Sequence, residues 1–498
     1  MKLQFEGGQH IRRESLWAAA FVIIHVLLLA YLAIFRYVDR DEGFYLSAAL
    51  QVAGGKSPYL DFFFPQMPLL PYILSIIAGH GFDTLRYARF LCLIPATLTP
   101  IVFWYLLKQV SSGSVVRLSA LFVYLFAGLV LVWHSVAKTY AWTDLALVLM
   151  FICLVKIIKG GKGSVWLAAG VAFGLAINFR SVLVVTAFPA MLVLWHGPSQ
   201  TRMRSWWQFL GGALAVSLTS VKLLFQDPSR FYFNNLGFHF VRNPGVGFAD
   251  AMLERGEAFG KFLINPQLWL ILLGIVVIWR KRSKLVSNES KAVTRLALWF
   301  ALVIIAVYLI PSPVHVQYFQ QALPFLIIAS LPGLELILAP SGKFLGMSRG
   351  RLLVVGGVIY MAALLPFAVI YVGAIRHDDR PYSIRNTKEL SQFVRDYPEP
   401  GPILSEWAGV PVLSGREGLG STEFVGFQYQ MPGDAAQFRT YHLPVNDDLK
   451  RALEDRIPVL YIVWNQPDSA LTDVAGRNYH QVDEFEQFKV LARNEISR

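Results

Sequence analysis

Three carboxylates occupy four consecutive positions in Asp39-Arg40-Asp41-Glu42, directly after the first long apolar run of the chain. Carboxylates this close repel one another and resist ionising together, which raises the pKa of at least one and can make a base that works near neutral pH. The plainer alternative is a solvated helix start, where acids sit favourably at a helix N-terminus. Two further ionisable residues interrupt apolar sequence. Asp144 opens one apolar run, and Arg180 stands between two others with only Asn178 and Ser181 as polar neighbours. Ionisable groups near membrane depth are functional by default, and a guanidinium forms paired bonds to phosphate oxygens. Against this stand a polar helix cap for Asp144 and a snorkelling interfacial arginine for Arg180. Lys138, His239 and Arg242 are further basic residues on outward segments. His134 and His315 are either metal ligands or hydrogen-bonded structural residues, and no His-Glu spacing points to a tight site. A divalent cation is left open, and the sequence points to no other cofactor.

The elements that position these residues are membrane helices. The 498 residues are 55% hydrophobic and only 16% charged, against roughly 25% charged in an ordinary soluble domain. A soluble enzyme and a disordered chain are excluded. Apolar runs long enough to cross about 30 Å of hydrocarbon fall near 16–35, 88–107, 115–133, 142–158, 164–178, 181–196, 206–225, 266–279, 296–311, 318–339 and 352–373. They predict an α-helical polytopic membrane protein of about eleven transmembrane helices. The net charge of +12 does not point to nucleic acid, because the cations are spaced between apolar runs. Nineteen of them, from Lys2 to Arg351, fall in alternate connections, which the positive-inside rule places in the cytoplasm with the N-terminus. Ten of the fourteen carboxylates before residue 377 then lie on the opposite, outward face. The expected location is the plasma or inner membrane, in contact with its lipids.

Two outward loops are long, 36–87 and 226–265, and long connections are usually functional. The first contains Glu42–Val52, with Phe44, Tyr45, Ala48, Ala49 and Val52 on one face, which predicts a helix lying in the interface plane. The charge balance changes near His377: residues 1–376 carry 32 Lys+Arg and 14 Asp+Glu, residues 377–498 carry 13 and 19. This divides the chain into a membrane domain, 1–376, and a soluble outward α/β domain, 377–498, read as accessory. Within the tail the patterning predicts helices at Ile384–Asp396 and Asp447–Asp455, strands at Pro402–Glu406 and Val410–Leu413, and an apolar run at Val459–Trp464. Cys92 and Cys153 both lie in apolar runs, where a thiol is usually a small buried hydrophobe.

Asp39-Arg40-Asp41-Glu42 is followed by Tyr45, Gly54-Gly55, Pro58-Tyr59, Asp61-Phe62, Pro68 and Pro71-Tyr72. This sequence resembles the first outward loop of the dolichyl-phosphate-mannose protein mannosyltransferases and their bacterial relatives, the aminoarabinose transferases of lipid A. The resemblance runs over residues 16 to about 340 and includes Trp142-Thr143-Asp144, Gly174-Leu175-Ala176 with Arg180, and His315 to Tyr318 with Pro324. Where many relatives carry His or Lys before the prolines of the first loop, this chain has Gln66-Met67-Pro68.

The resemblance implies the GT-C fold and transfer of a sugar from a polyprenyl-phosphate donor to a hydroxyl acceptor on a lipid, glycan or protein, typically with inversion at the anomeric carbon. It implies Asp41 as the general base and Glu42 as its orienting or pKa-setting partner. Asp144, Arg180, Lys138, Tyr45, Asp61, His239, Arg242, His315 and Tyr318 would then contact substrate. Two other readings fit the composition. A transporter or flippase of lipid-linked substrates would place charges at the bilayer midplane and show two related halves, and an assembly protein would use the tail as its recognition module.

Overall fold

The computed structural model describes residues 2–161, 163–197, 199–242, 247–281, 287–311, 313–339, 344, 346–367, 382–420, 425, 433–464 and 469–495. In hydrocarbon every backbone amide must find its partner within the protein, and helices do this locally. Each of the eleven apolar runs accordingly contains helix. Among the described residues, six spans are long and apolar enough to cross a membrane: Arg13–Phe35, Asp83–Val110, Tyr140–Ile158, Asn288–Tyr308, Val316–Ile337 and Arg349–Phe367. Three more would form from pairs bent by 52°, 75° and 78°, giving up to nine, and Ser164–Phe179 and Ser181–His196 are shorter. The count of about eleven therefore exceeds what length and composition support, because two of the expected spans are short helices.

The elements used below are α1 (Lys2–Phe35), α2 (Arg40–Ala53), α3 (Leu69–Leu74), α4 (Asp83–Val110), α5 (Ser114–Leu125), α6 (Gly128–His134), α7 (Tyr140–Ile158) and α8 (Ser164–Phe179). They continue with α9 (Ala187–His196), α10 (Ser199–Val216), α11 (Leu218–Gln226), α12 (Pro228–Tyr232), α13 (Phe238–Val241), α14 (Phe248–Leu263), α15 (Pro266–Lys281), α16 (Asn288–Tyr308) and α17 (Leu323–Ile337).

Helices without a hydrophobic drive between them pack through small residues. A Cβ on Gly170 or Gly212 would strike the opposing backbone where α8 meets α10, and one on Gly333 would strike Gly274 where α15 meets α17. The break between α5 and α6 leaves backbone groups unpaired, and a side chain satisfies them: Gly128 N donates to Gln267 Oε1 at 2.8 Å and Gln267 Nε2 donates to the Phe126 carbonyl at 2.9 Å. The bend turns α6 so that it ends at His134 and feeds residues 135–139 into the wall of the site.

Two large apolar cores result. One lies inside the bundle. The second joins residues of the 36–87 segment, Phe233 and Phe238 to the C-terminal region through Leu390, Trp407, Val410, Leu460 and Phe488. The helix predicted in the interface plane is consequently buried on several faces, with Glu42, Gly43, Tyr45, Leu46, Ser47, Ala48, Ala49 and Gln51 all covered. Protein, rather than lipid headgroups, takes up its apolar surface.

The C-terminal sheet has strand order β1-β2-β4-β3, with β1 (Ile403–Ser405) parallel to β2 (Leu460–Trp464), and β4 (Phe488–Arg493) antiparallel to both β2 and β3 (Tyr479–Phe485). The helices Ile384–Asp396 and Asn446–Glu454 lie where patterning put them. The segment 409–414, read as a strand, is a short helix whose Val410, Val412 and Leu413 bury together; an apolar run this short carries no period to separate the two. The expected boundary near His377 lies outside the described residues.

Gly333→Leu should separate α15 from α17. The expected outcome is loss of the monodisperse detergent-solubilised peak in size-exclusion chromatography, whereas Gly211→Leu, at a glycine with open space around it, should elute as the parent protein does.

Candidate active site

Asp39 is the N-cap of α2, and the first turn forms a capping box: Asp39 Oδ1 accepts from Asp41 N at 3.0 Å and Glu42 Oε2 accepts from Asp39 N at 2.8 Å. Such a box satisfies two orphan helix donors at once. The same Glu42 carboxylate, fully buried, takes Arg89 of α4 in a two-pronged pair at 2.8 and 2.6 Å and accepts from Ala137 N at 2.8 Å. Arg89 in turn donates to the carbonyls of Ala33 and Tyr37 at 2.9 and 3.0 Å. Glu42 thus joins four pieces of chain and has no free face.

The three carboxylates do not confront one another unpaired, as their spacing suggested. Lys138 Nζ lies 2.9 Å from Asp39 Oδ1 and 2.7 Å from Asp41 Oδ2. Burial works to raise the Asp39 carboxyl, but Lys138 and Arg36 pull it below the ordinary carboxylate value. Burial likewise opposes the charge on Lys138, and the two aspartates overcome it and hold the ammonium far above its usual pKa. The side chain of Asp41 is 61% exposed, whereas those of Lys138 and Asp39 are 5% and 12% exposed. Asp41 is therefore the member of the acidic run that a solute can reach.

Arg180 ends α8. Its guanidinium carbon lies 4.6, 5.1 and 5.6 Å from the ring centroids of Tyr140, Tyr318 and Tyr308, and Nη1 donates to the Tyr308 hydroxyl at 3.2 Å. No carboxylate pairs with it among the described residues. Lys138 stands over the same Tyr140 ring, 5.8 Å from its centroid, and over Trp133 at 5.1 Å. Two cations, one neutralised and one not, therefore flank a single aromatic ring beside Asp41.

The remaining candidates fall at different depths. Tyr45 is buried on α2 within the fields of Arg180 and Lys138, and burial pushes its phenol up to about 12. His315 sits 5.4 Å from Tyr318, ring to ring. Burial lowers its pKa, partly offset by the Asp41 charge. Arg242 is lowered by burial against the opposing influence of Tyr318, Asp41 and Glu254. His239 Nε2 donates to the Pro65 carbonyl at 2.9 Å, and burial together with Arg242 takes the ring down to about 4. Asp144 is wholly buried on α7, bound to His134 Nε2 at 3.0 Å and approached by Gln320 Nε2 at 3.4 Å. Asp61 closes a local turn by accepting from Ser57 N at 2.7 Å and stands apart from this cluster. Among the described residues no three His, Cys, Asp or Glu side chains converge as a metal site would require.

Sequence reasoning missed Arg89, Tyr140, Tyr308 and Trp133. Arg89 had a signal, since a cation within an apolar span needs an internal partner. The tyrosines had none, because a protein with many membrane interfaces carries such rings throughout.

Residues 65–225 match the family model described as dolichyl-phosphate-mannose-protein mannosyltransferase. No curated protein sequence matches the chain. Among solved structures, ArnT from Cupriavidus metallidurans bound to undecaprenyl phosphate superposes with a TM-score of 0.66 at 14% identity, covering 96% of this chain and 98% of that one. The apo form of the same protein gives 0.68 at 14% identity with the same coverage. The chain thus has the fold of the GT-C membrane glycosyltransferases over nearly its whole length.

Arg89→Met leaves Glu42 buried without its cation and should cost about 3–5 kcal/mol, read as a lowered Tm of purified protein. His239 supplies a pH test. Its folded pKa lies below the free value of 6.5, so its contribution is complete above pH 6.5 and is lost as pH falls toward 4, where the unfolded chain binds the proton that the folded chain refuses. His239→Gln should flatten the fall in stability between pH 7 and pH 4.5 by on the order of 2 kcal/mol.

Proposed function

We propose that the chain is an integral-membrane glycosyltransferase that moves a sugar from a polyprenyl-phosphate donor to a hydroxyl of a lipid, glycan or protein at the outer face of the membrane. The observation that carries this reading is that a reachable carboxylate, Asp41, is linked through Lys138 and the Tyr140 ring to Arg180, a guanidinium that has aromatic walls and no carboxylate partner among the described residues. Buried charges are ordinarily paired, so such a cation suits an incoming anion. The undecaprenyl phosphate held by the structural neighbour supports a lipid phosphate as that anion, and the family match over residues 65–225 supports sugar transfer.

In this reading the acceptor oxygen attacks the anomeric carbon while the bond from that carbon to the phosphate oxygen breaks. Asp41 takes the acceptor proton, and the polyprenyl phosphate leaves with the bonding pair. Arg180, with Arg242 and His315 nearby, meets the charge that develops on the phosphate. Lys138 orients Asp41 through its 2.7 Å contact, and Tyr45 and Tyr318 line the sugar. Asp144, with His134, supports the floor from within the bundle, and Glu42 positions Asp41 from behind. Asp61 and His239 would contact the substrate from the 36–87 and 226–265 segments. Residues 1–376 would form the membrane domain, with a cytoplasmic N-terminus in the inner or plasma membrane, and residues 377–498 the outward domain.

Mass spectrometry of glycolipids and glycoproteins from cells with and without the gene should reveal one acceptor lacking a sugar. Asp41→Asn should fail to restore it; full restoration overturns the assignment of the base. Arg180→Ala should weaken binding of undecaprenyl phosphate by about 10- to 100-fold, the worth of a charge-assisted hydrogen bond, and unchanged binding overturns its role.

A further inference from the structure

The C-terminal domain reaches the first turn of α2 at three points. Val38 N donates to the Tyr382 carbonyl at 2.6 Å, the Arg40 guanidinium lies 4.2 Å from the centre of the Trp464 ring, and Trp407 Nε1 donates to the Arg40 carbonyl at 3.0 Å. The last contact is the most constrained. Trp407 is 3% exposed, its backbone is tied by Ser405 Oγ at 3.2 and 2.9 Å, and its ring sits edge-on to Tyr382 with centroids 5.0 Å apart. Against it lies Gly43, where an added Cβ would stand 2.7 Å from both Trp407 Nε1 and Gly409 N.

No other residue type fits at Gly43 while the indole stays in place. Arg40 and Gly43 are three residues apart, on one face of α2. Asp41 is two residues from Gly43, on the side that meets Lys138. The domain therefore grips one face of the turn while the other face presents the carboxylate.

We propose that Trp407 is a positioning residue for Asp41: its indole N–H and ring edge fix the first turn of α2 so that the carboxylate remains on Lys138. The outward domain is then a working part of the site rather than an accessory. This rests on the reading of Asp41 as the acceptor base, which the test treats separately.

Full-length variants are returned to cells lacking the gene, and the sugar restored to the acceptor is measured together with the amount of folded protein. Affinity for undecaprenyl phosphate is measured on purified protein. Gly43→Ala pushes the turn off the indole. Trp407→Phe, the milder change should Gly43→Ala fail to fold, keeps an aromatic ring and removes the N–H. Each folded variant should restore about tenfold less sugar, since small misplacements near chemistry are costly, with affinity within about threefold of the parent. Parental sugar levels in both variants overturn the positioning role. So does a fall matched by an equal fall in affinity or in folded protein, which a merely structural role would give. Full restoration by Asp41→Asn alongside a defect in Trp407→Phe would instead overturn the base assignment, so the two failures are distinguishable.

Discussion

The buried Glu42–Arg89 pair is the interaction on which the site depends. One carboxylate accepts both prongs of a guanidinium, an amide from the linker between α6 and α7, and the amide that completes the α2 capping box. Removing two charges from water is expensive, and their attraction repays the cost only where the remaining lone pairs and protons are satisfied. Here the Ala33 and Tyr37 carbonyls take further Arg89 protons. The pair consequently fixes the end of α1, the start of α2, α4 and residues 135–139 in one arrangement. Lys138 sits one residue beyond Ala137, and Asp41 one residue before Glu42, so the distance between them is inherited from this knot.

That arrangement divides labour among neighbouring acids. Asp39 closes the helix end and shares Lys138, Glu42 is consumed in the knot, and Asp41 keeps one oxygen on Lys138 and most of its surface in solvent. Three carboxylates in four positions looked like a device for raising a pKa by repulsion. Cations brought in from α4 and from the 135–139 linker, between 45 and 100 positions away in sequence, change the electrostatics. Burial and charge oppose each other at Asp39, and charge wins.

Much of the architecture was legible because hydrocarbon allows so few solutions. A run of apolar residues must become helix, and each of the expected runs contains one. Bends were not legible. The break at Phe126–Ala127 is satisfied by Gln267, about 140 positions on, and no local pattern in residues 115–133 announces it. At the site, acids and arginines stood out against an apolar background, so Asp41, Asp144 and Arg180 could be singled out. The partner of Arg180 could not, because Tyr308 acquires meaning only when α16 is packed, and Arg89, though conspicuous in an apolar run, shows no partner until α4 meets Glu42. The same holds for α2, whose amphipathic face reads as interfacial until Phe64 packs on Phe44 and Tyr45 and Trp407, more than 360 residues later, reaches its first turn.

The aromatic surroundings of Arg180 bear on how the site would distinguish its ligands. A guanidinium over tyrosine faces is held by quadrupole attraction, which leaves most of its N–H donors unspent. A carboxylate in the same place would have used them and cancelled the charge. Tyr140 is shared with Lys138, so the two cations lie against one ring, at 4.6 and 5.8 Å from its centroid. One is already matched by two aspartates and one is not. In the proposed reaction the donor's phosphodiester, with its single negative charge, would be attracted at Arg180 and not at Lys138, whose ammonium is already held by two carboxylates.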